Sequence, residues 1–171
     1  MSSETIKREL SILVGLSTRY IGRAANIAWL GFGSDVVIKT HKGEERVLAK
    51  YALHLQTTFR VLSLEKVLFG SYDMYEPNTK TKWTEDFQWD VQGANYYDEH
   101  ANELTMELER GEILVTKIDA TSYGDLTITL SNELVLEVYV DRGKESECWR
   151  FFEPGSENKH FVVTGQGLEK H

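Results

Sequence analysis

The chain has 171 residues, a net charge of −8 at pH 7 and a single cysteine, Cys148. The length fits about one domain. The acidic balance argues against nucleic-acid binding, which needs clustered Lys and Arg, and one cysteine cannot form an intramolecular disulfide. No apolar run approaches the ~20 residues of a membrane span, and no secretory pattern opens the chain. We therefore expect a cytoplasmic protein without membrane contact.

The net charge falls entirely in residues Tyr72 to Glu112, called here the acidic–aromatic segment. This segment holds 11 acidic and 3 basic residues, whereas the other 130 residues hold 16 of each sign. Its aromatic residues are Tyr72, Tyr75, Trp83, Phe87, Trp89, Tyr96 and Tyr97. Concentrated negative charge beside amphipathic rings is typical of a surface that meets a cationic or planar partner.

The N-terminal part predicts one helix followed by strands. An apolar stripe at helical spacing indicates a helix from Ser2 to Val14, which Gly15 can end. Residues Arg19 to Thr40 contain several glycines and consecutive β-branched residues, a composition that predicts strands before a polar turn at 41–45.

Strict alternation then predicts one strand across residues 53–61. Its apolar face holds Leu53, Leu55, Thr57, Phe59 and Val61, and its polar face holds His54, Gln56, Thr58 and Arg60. Residues Lys66 to Ser71 are expected to pair with it across Ser63 to Glu65. A loop is expected from Pro77 to Asp86.

Residues Tyr96 to Arg110 admit two interpretations. A helical stripe is formed by Tyr97, Ala101, Leu104 and Leu108, with Asn95 as N-cap and Gly111 as the stop. Alternation at Leu104, Met106 and Leu108 would instead suit a hairpin through Arg110-Gly111. We favour the helix because it places the charged side chains of this stretch together on the solvent side.

The C-terminal third predicts strands throughout. Expected strands are Ile113 to Ile118, a hairpin of Leu126–Leu130 with Leu134–Val138, Cys148 to Phe152 and His160 to Val163. The element order predicts a single α+β domain, built mainly from antiparallel sheet of about eight strands, as a sandwich or open barrel with one or two helices.

One polar cluster is a candidate for binding an anionic ligand or for acid–base chemistry. Its members are His54, Gln56, Arg60, Asp73 and Arg150. The opposing interpretation is an ordinary polar sheet face, with the arginines paired to Asp73, Asp125 or Glu153 in a structural layer of ion pairs. We favour the structural interpretation, and we assign no catalytic residue.

No cofactor or metal is expected. A metal motif would need a characteristic spacing, which is absent among His54, Asp73, Asp98 and His100. The spacing of the glycines does not match a phosphate-binding loop. Cys148 precedes a tryptophan in an apolar strand, where cysteine is usually a small hydrophobe.

Part of the acidic–aromatic segment is expected to have a structural role. Phe87 and Trp89 would point to the same face of a strand and could pack on the core. The remaining candidates for a recognition surface are Tyr75, Trp83, Glu85, Asp86, Asp90, Glu99 and Glu103.

Several short motifs resemble an uncharacterised family of small bacterial proteins. The motifs are Leu13-Val14-Gly15-Leu16, Gly22-Arg23-Ala24-Ala25 to Trp29, Phe32-Gly33, Ala52 to Arg60 with its HLQxxFR pattern, Gly70 to Asp73, Gly124 to Ile128 (GDLxI), Leu136 to Val138 and Cys148 to Phe152 (WRFF). Relatives often carry cysteine and proline at Thr57-Thr58 and tryptophan at Phe59, which argues against an obligatory thiol here. The resemblance implies a single bacterial domain and brings no established activity.

Three functions from different classes are compatible with these patterns. The leading hypothesis is a non-enzymatic cytoplasmic protein-binding domain, of the immunity type, that holds a basic partner through the acidic–aromatic surface. The alternatives are a small-molecule binder or enzyme using the His/Arg/Asp cluster, and a structural subunit of a homo-oligomer.

Overall fold

The computed structural model of the protein describes residues 2–40, 42–81, 83, 86–110 and 112–169. The helices are α1 (Ser3–Leu10) and α2 (Tyr96–Arg110), and short 3₁₀ turns cover Ser11–Leu13 and Ser71–Tyr75. The strands are β1 (Thr18–Ala24), β2 (Ile27–Lys39), β3 (Glu45–Leu55), β4 (Phe59–Leu62), β5 (Val67–Gly70), β6 (Val115–Ala120), β7 (Leu126–Leu130), β8 (Val135–Val138), β9 (Glu147–Phe152), β10 (Phe161–Thr164) and β11 (Gly167–Leu168).

The strands form two sheets. The larger has the order β1-β2-β3-β9-β10-β11, the smaller β5-β4-β8-β7-β6, and the neighbours pair antiparallel throughout. Both sheets and both helices contribute side chains to one hydrophobic core. The predicted α+β class with mainly antiparallel sheet is confirmed, with eleven strands among the described residues instead of about eight and no closed barrel.

The interpretation of residues 96–110 as a helix is confirmed. Tyr97, Ala101, Leu104 and Leu108 are all buried along one side of α2. The side chain of Asn95 caps the helix by accepting a hydrogen bond from the backbone N–H of Asp98 at 2.8 Å. The residue expected to end this helix, Gly111, lies outside the described residues, as does His41 of the polar turn.

The single strand predicted across residues 53–61 is wrong, although its burial pattern is right. The chain leaves the larger sheet after Leu55 and enters the smaller sheet at Phe59, so that β3 and β4 belong to different sheets. Leu53, Leu55, Thr57 and Phe59 are nevertheless all buried. The alternation is preserved because the odd-numbered side chains of both strands point toward the core that the two sheets share.

The C-terminal hairpin forms as predicted, with Leu126 opposite Val138 and Ile128 opposite Leu136 in β7 and β8. The two sheets are also joined by Trp149, which is fully buried and donates its indole N–H to the carbonyl of Gly124 at 2.9 Å. This bond links β9 of the larger sheet to the turn before β7 of the smaller one.

The β2–β3 hairpin is long and irregular. Its register shifts between Phe32 and Asp35, where Gly33 has a φ of +85°. Such a bulge increases the twist and bends the strand. Neither α1 nor α2 is long and apolar enough to cross a membrane.

Candidate functional site

The acidic–aromatic segment begins in the 3₁₀ turn at Ser71–Tyr75, continues through a loop at residues 76–95 and ends beyond α2. Backbone hydrogen bonds hold the two ends of this loop together, from Asn78 N–H to the carbonyl of Ala94 at 3.0 Å and from Tyr96 N–H to the carbonyl of Glu76 at 2.8 Å. The loop therefore leaves and rejoins the body of the protein at one place.

A buried ion pair anchors the loop and α2 to the larger sheet. Arg23 of β1 donates from Nε and a terminal nitrogen to both oxygens of Asp98, at 2.6 Å each, and both side chains are almost completely buried. The guanidinium also donates to the carbonyl of Trp89 at 3.2 Å, and Asp98 accepts the backbone N–H of Gly93 at 2.7 Å. The first strand, the loop and α2 thus meet at one charge pair whose hydrogen-bonding capacity is largely used.

The importance of Arg23 was missed in the sequence. A signal existed, because Arg23 has the same strand parity as Ile21, which is buried. An arginine in an inward position of a strand indicates a buried anionic partner. The sequence does not show that this partner is Asp98, 75 residues away.

A second contact fixes the loop near its start. Glu99 accepts the backbone N–H of Thr79 at 2.8 Å and its hydroxyl at 2.6 Å. These two hydrogen bonds lower the pKa of Glu99 below its usual value. Glu99, expected to face a partner, therefore has a local structural role, while Glu103 is exposed and contacts Nδ1 of His100 at 2.8 Å.

Aromatic residues of the acidic–aromatic segment form two pairs, each of one exposed and one half-buried ring. Tyr75 packs on Trp89 with ring centroids 5.0 Å apart, and Trp83 packs on Phe87 at 5.4 Å. Trp83 is 65% exposed. The expectation that Phe87 and Trp89 pack into the core from a strand is wrong, because both lie in irregular chain and are only half-buried.

Among the described residues, Asp86 and Asp90 have no cationic partner. Asp86 and Asp90 are exposed, and within the described residues no lysine or arginine lies within 4.0 Å of either carboxylate. Glu85, the third acid of this group, lies outside the described residues. Within its described residues, the loop therefore presents aromatic rings together with two carboxylates that form no ion pair.

The five residues of the predicted ligand cluster do not form one site. His54, Gln56 and Arg150 are associated with the larger sheet, where Gln56 donates to Glu147 at 2.7 Å and Arg150 forms a bidentate ion pair with the same carboxylate. His54 lies opposite Arg150 in the strand register. Burial first, and then the charge of Arg150, lower the pKa of His54.

The other two residues of that cluster lie in the smaller sheet and the turn that follows it. Arg60 donates to Glu137 at 2.6 Å, and Asp73 accepts the backbone N–H of Gly70 at 2.7 Å. Both arginines are thus paired, as the structural interpretation expects, but with Glu137 and Glu147 instead of Asp73, Asp125 or Glu153.

Other candidate chemistry finds little support in this geometry. Cys148 is fully buried, and burial raises the pKa of its thiol, so it behaves as a small core residue. Among the described residues no group of three His, Cys, Asp or Glu side chains could hold a metal ion.

Comparison with known proteins gives no match for this chain. No protein-family model matches it, and neither the curated proteins nor the solved structures give a match. A function for this chain therefore has to rest on its own side chains, since sites carry function more reliably than folds do.

Proposed function

We propose that this protein is a non-enzymatic protein-binding domain that holds a basic partner protein through its acidic–aromatic surface. The observation that carries the proposal is the anchored loop at residues 76–95, which presents Trp83, Asp86 and Asp90 to solvent while Arg23 and Thr79 tie it to the body. A surface held in place before binding loses little conformational entropy when a partner docks.

The charge and the rings have separate roles in such an interface. Uncompensated carboxylates at Asp86 and Asp90 accelerate encounter with a basic partner and select against acidic ones. Exposed Tyr75 and Trp83 are the residue types that supply most of the affinity at the centre of protein interfaces.

The biological setting belongs to the same proposal. The net charge of −8 suits a partner of opposite sign, and the small size and the lack of catalytic spacing favour a cytoplasmic protein of the immunity type, which neutralises a basic toxin. The resemblance to small bacterial proteins supports only a bacterial origin. It needs no cofactor, and nucleic acid is a poor partner for a surface of this charge.

Charge reversal tests the proposal. The tagged protein is purified from its native cells, and copurifying proteins are quantified by mass spectrometry for the parent chain and for the triple variant Glu85→Lys, Asp86→Lys, Asp90→Lys. The matched control reverses three exposed glutamates away from this surface, Glu44, Glu45 and Glu65. A basic protein should be lost about tenfold or more in the first variant only.

Salt supplies the second readout. Binding of the recovered basic protein should weaken from 50 to 300 mM NaCl for the parent and depend less on salt for the triple variant. Equal recovery in all three samples, or equal loss in the control, would show that this surface does not hold the partner.

A further inference from the structure

A cavity lies away from the acidic–aromatic surface, over the outer face of the larger sheet. Its volume is about 580 Å³, within the range of small-molecule sites. The floor is formed by β1, β2, β3 and β9, and the wall by the bent end of the β2–β3 hairpin together with the 153–156 loop. The side chains that carry its chemistry are Tyr20, Trp29, Arg46, Ala52, His54 and Phe152.

Two aromatic rings lie flat on the floor because glycines face them across the strand pair. Gly22 is opposite Trp29, and a Cβ there would come within 2.8 Å of the indole nitrogen. Gly31 is opposite Tyr20, and a Cβ there would come within 2.4 Å of its ring. The Tyr20 hydroxyl accepts the backbone N–H of Ala49 at 3.2 Å, which fixes that ring further.

A row of rings continues the floor toward β9. His54 lies 6.3 Å from Trp29 and packs edge-on against Phe152 at 4.8 Å. Phe152 in turn stacks on His160 with centroids 4.3 Å apart. The cavity therefore offers aromatic surface, although its rings are not coplanar, since His54 is tilted by 46° from Trp29 and stands at 90° to Phe152. The aromatic group of a ligand can pack against such rings face-on or edge-on.

The wall is closed by a contact that only glycine permits. Gly155 has a φ of +77°, and a Cβ there would come within 2.7 Å of Cγ2 of Ile38. The 153–156 loop thus rests directly on β2, and the concavity is enclosed on that side by both segments. If the flat face of another sheet packed over the cavity, the enclosed space would remain empty.

The side chains that line the cavity include one cation. Arg46 is the one lysine, arginine or carboxylate side chain that lines it among the described residues. The Glu44 carboxylate approaches Arg46 only at 3.7 Å, and both are exposed. In a protein whose net charge is −8, a cation that lines a cavity and has, among the described residues, only this distant carboxylate as partner is available to an anionic group.

We propose that this cavity binds a small planar aromatic molecule that carries a carboxylate, with the ring system on Trp29 and Phe152 and the carboxylate paired with Arg46. This site is independent of the acidic–aromatic surface and does not require its function. Ala52 lies on the floor, where only a small side chain leaves room for the ligand.

The experiment titrates the full chain with 2-naphthoate and with the neutral 2-naphthamide, followed by two-dimensional NMR of backbone and aromatic resonances. The expected Kd for naphthoate is about 1 mM or lower, with shifts at Trp29, His54 and Phe152. The amide should bind about fivefold more weakly.

Variants localise the site. Arg46→Gln, on an exposed side chain, should remove the preference for naphthoate over naphthamide, and Ala52→Leu should weaken both probes about tenfold. Lys117→Gln is the matched control, an exposed cation in the smaller sheet, and should change neither. The triple acidic variant described above should also bind naphthoate unchanged, which separates this site from the protein-binding surface.

Four results would overturn the proposal. They are no shift at the three aromatic residues up to about 5 mM naphthoate, equal binding of the two probes, equal naphthoate binding by Ala52→Leu, and sedimentation showing a dimer whose interface covers these resonances. The Arg46 side chain is exposed, so Arg46→Gln should fold normally. If Ala52→Leu fails to fold, Arg46→Gln therefore still tests the proposal.

Discussion

Arg23 and Asp98 form an ion pair that is almost completely buried and joins the first strand to the second helix, with both oxygens of the carboxylate engaged by the guanidinium. The carbonyls of Trp89 and Val91 also face this guanidinium, at 3.2 and 3.4 Å. The loop that bears the proposed protein-binding surface therefore depends on a charge pair inside the protein.

Breaking this pair is expected to be severe. Asp98→Asn should lower the free energy of unfolding by about 3–5 kcal/mol, because it leaves the guanidinium buried with an uncharged partner. Urea denaturation followed by circular dichroism measures the loss. Arg19→Gln is the control, since its ion pair with Asp35 is exposed and should cost under about 1 kcal/mol.

The double variant Arg23→Met, Asp98→Leu tests whether the cost comes from the unpaired charge. It should recover part of the lost stability, since an apolar pair of similar volume avoids burying an isolated ion. A double variant as unstable as the sum of the single variants would show that the surrounding backbone hydrogen bonds, and not the charges, carry the stability.

The same substitution at two tryptophans should have very different effects. Trp149→Phe removes the hydrogen bond to the buried carbonyl of Gly124 and leaves a small void, so it should cost about 2–4 kcal/mol. Trp83→Phe, at a side chain 65% exposed, should cost under about 0.5 kcal/mol. Thermal and urea unfolding of the two variants provide the comparison, and similar losses would contradict the role of Trp149 as a link between the sheets.

The contact between Glu99 and Thr79 should control local opening of the loop. Glu99→Gln weakens acceptance of the Thr79 N–H and hydroxyl, so amide exchange at Thr79 should accelerate several-fold at pH 7 while amides of β7 and β8 keep their protection. Because the pKa of Glu99 is lowered, the parent protein should lose this protection only as the pH falls below the usual glutamate value. Glu103→Gln is the control, and an equal effect there would contradict a specific anchor.

Asp141 should contribute to acid stability. Partial burial opposes ionisation, but hydrogen bonds from the hydroxyl and N–H of Thr58 and from Arg142 lower its pKa to about 2. A folded pKa below the unfolded value of about 3.9 stabilises the protein above pH 4, and that contribution is lost as the pH falls from about 4 to 2.

Asp141→Asn should therefore lower stability at pH 7 by about 1 kcal/mol or less after solvent screening, with the difference from the parent shrinking toward pH 2. Urea midpoints measured from pH 7 to pH 2 supply the test. A constant difference across this range would contradict the assignment.

Local patterns in the sequence were sufficient for much of the fold. The stripe of Tyr97, Ala101, Leu104 and Leu108 identified α2 and its buried face, and the paired apolar runs identified the β7–β8 hairpin. In both cases the deciding contacts lie within a few residues of each other, so periodicity and turn chemistry carry the information.

The tertiary structure decided the features on which the proposed functions rest. Alternation from Leu53 to Val61 determined which side chains are buried, but not that the chain changes sheets at Gln56–Thr58. It likewise gave no indication that Arg23 meets Asp98, or that Trp29, His54 and Phe152 form one aromatic floor. The physical reason is that the sequence by itself determines the periodicity of burial along each segment, whereas these contacts join distant residues through strand order and register, which arise only when the whole core packs.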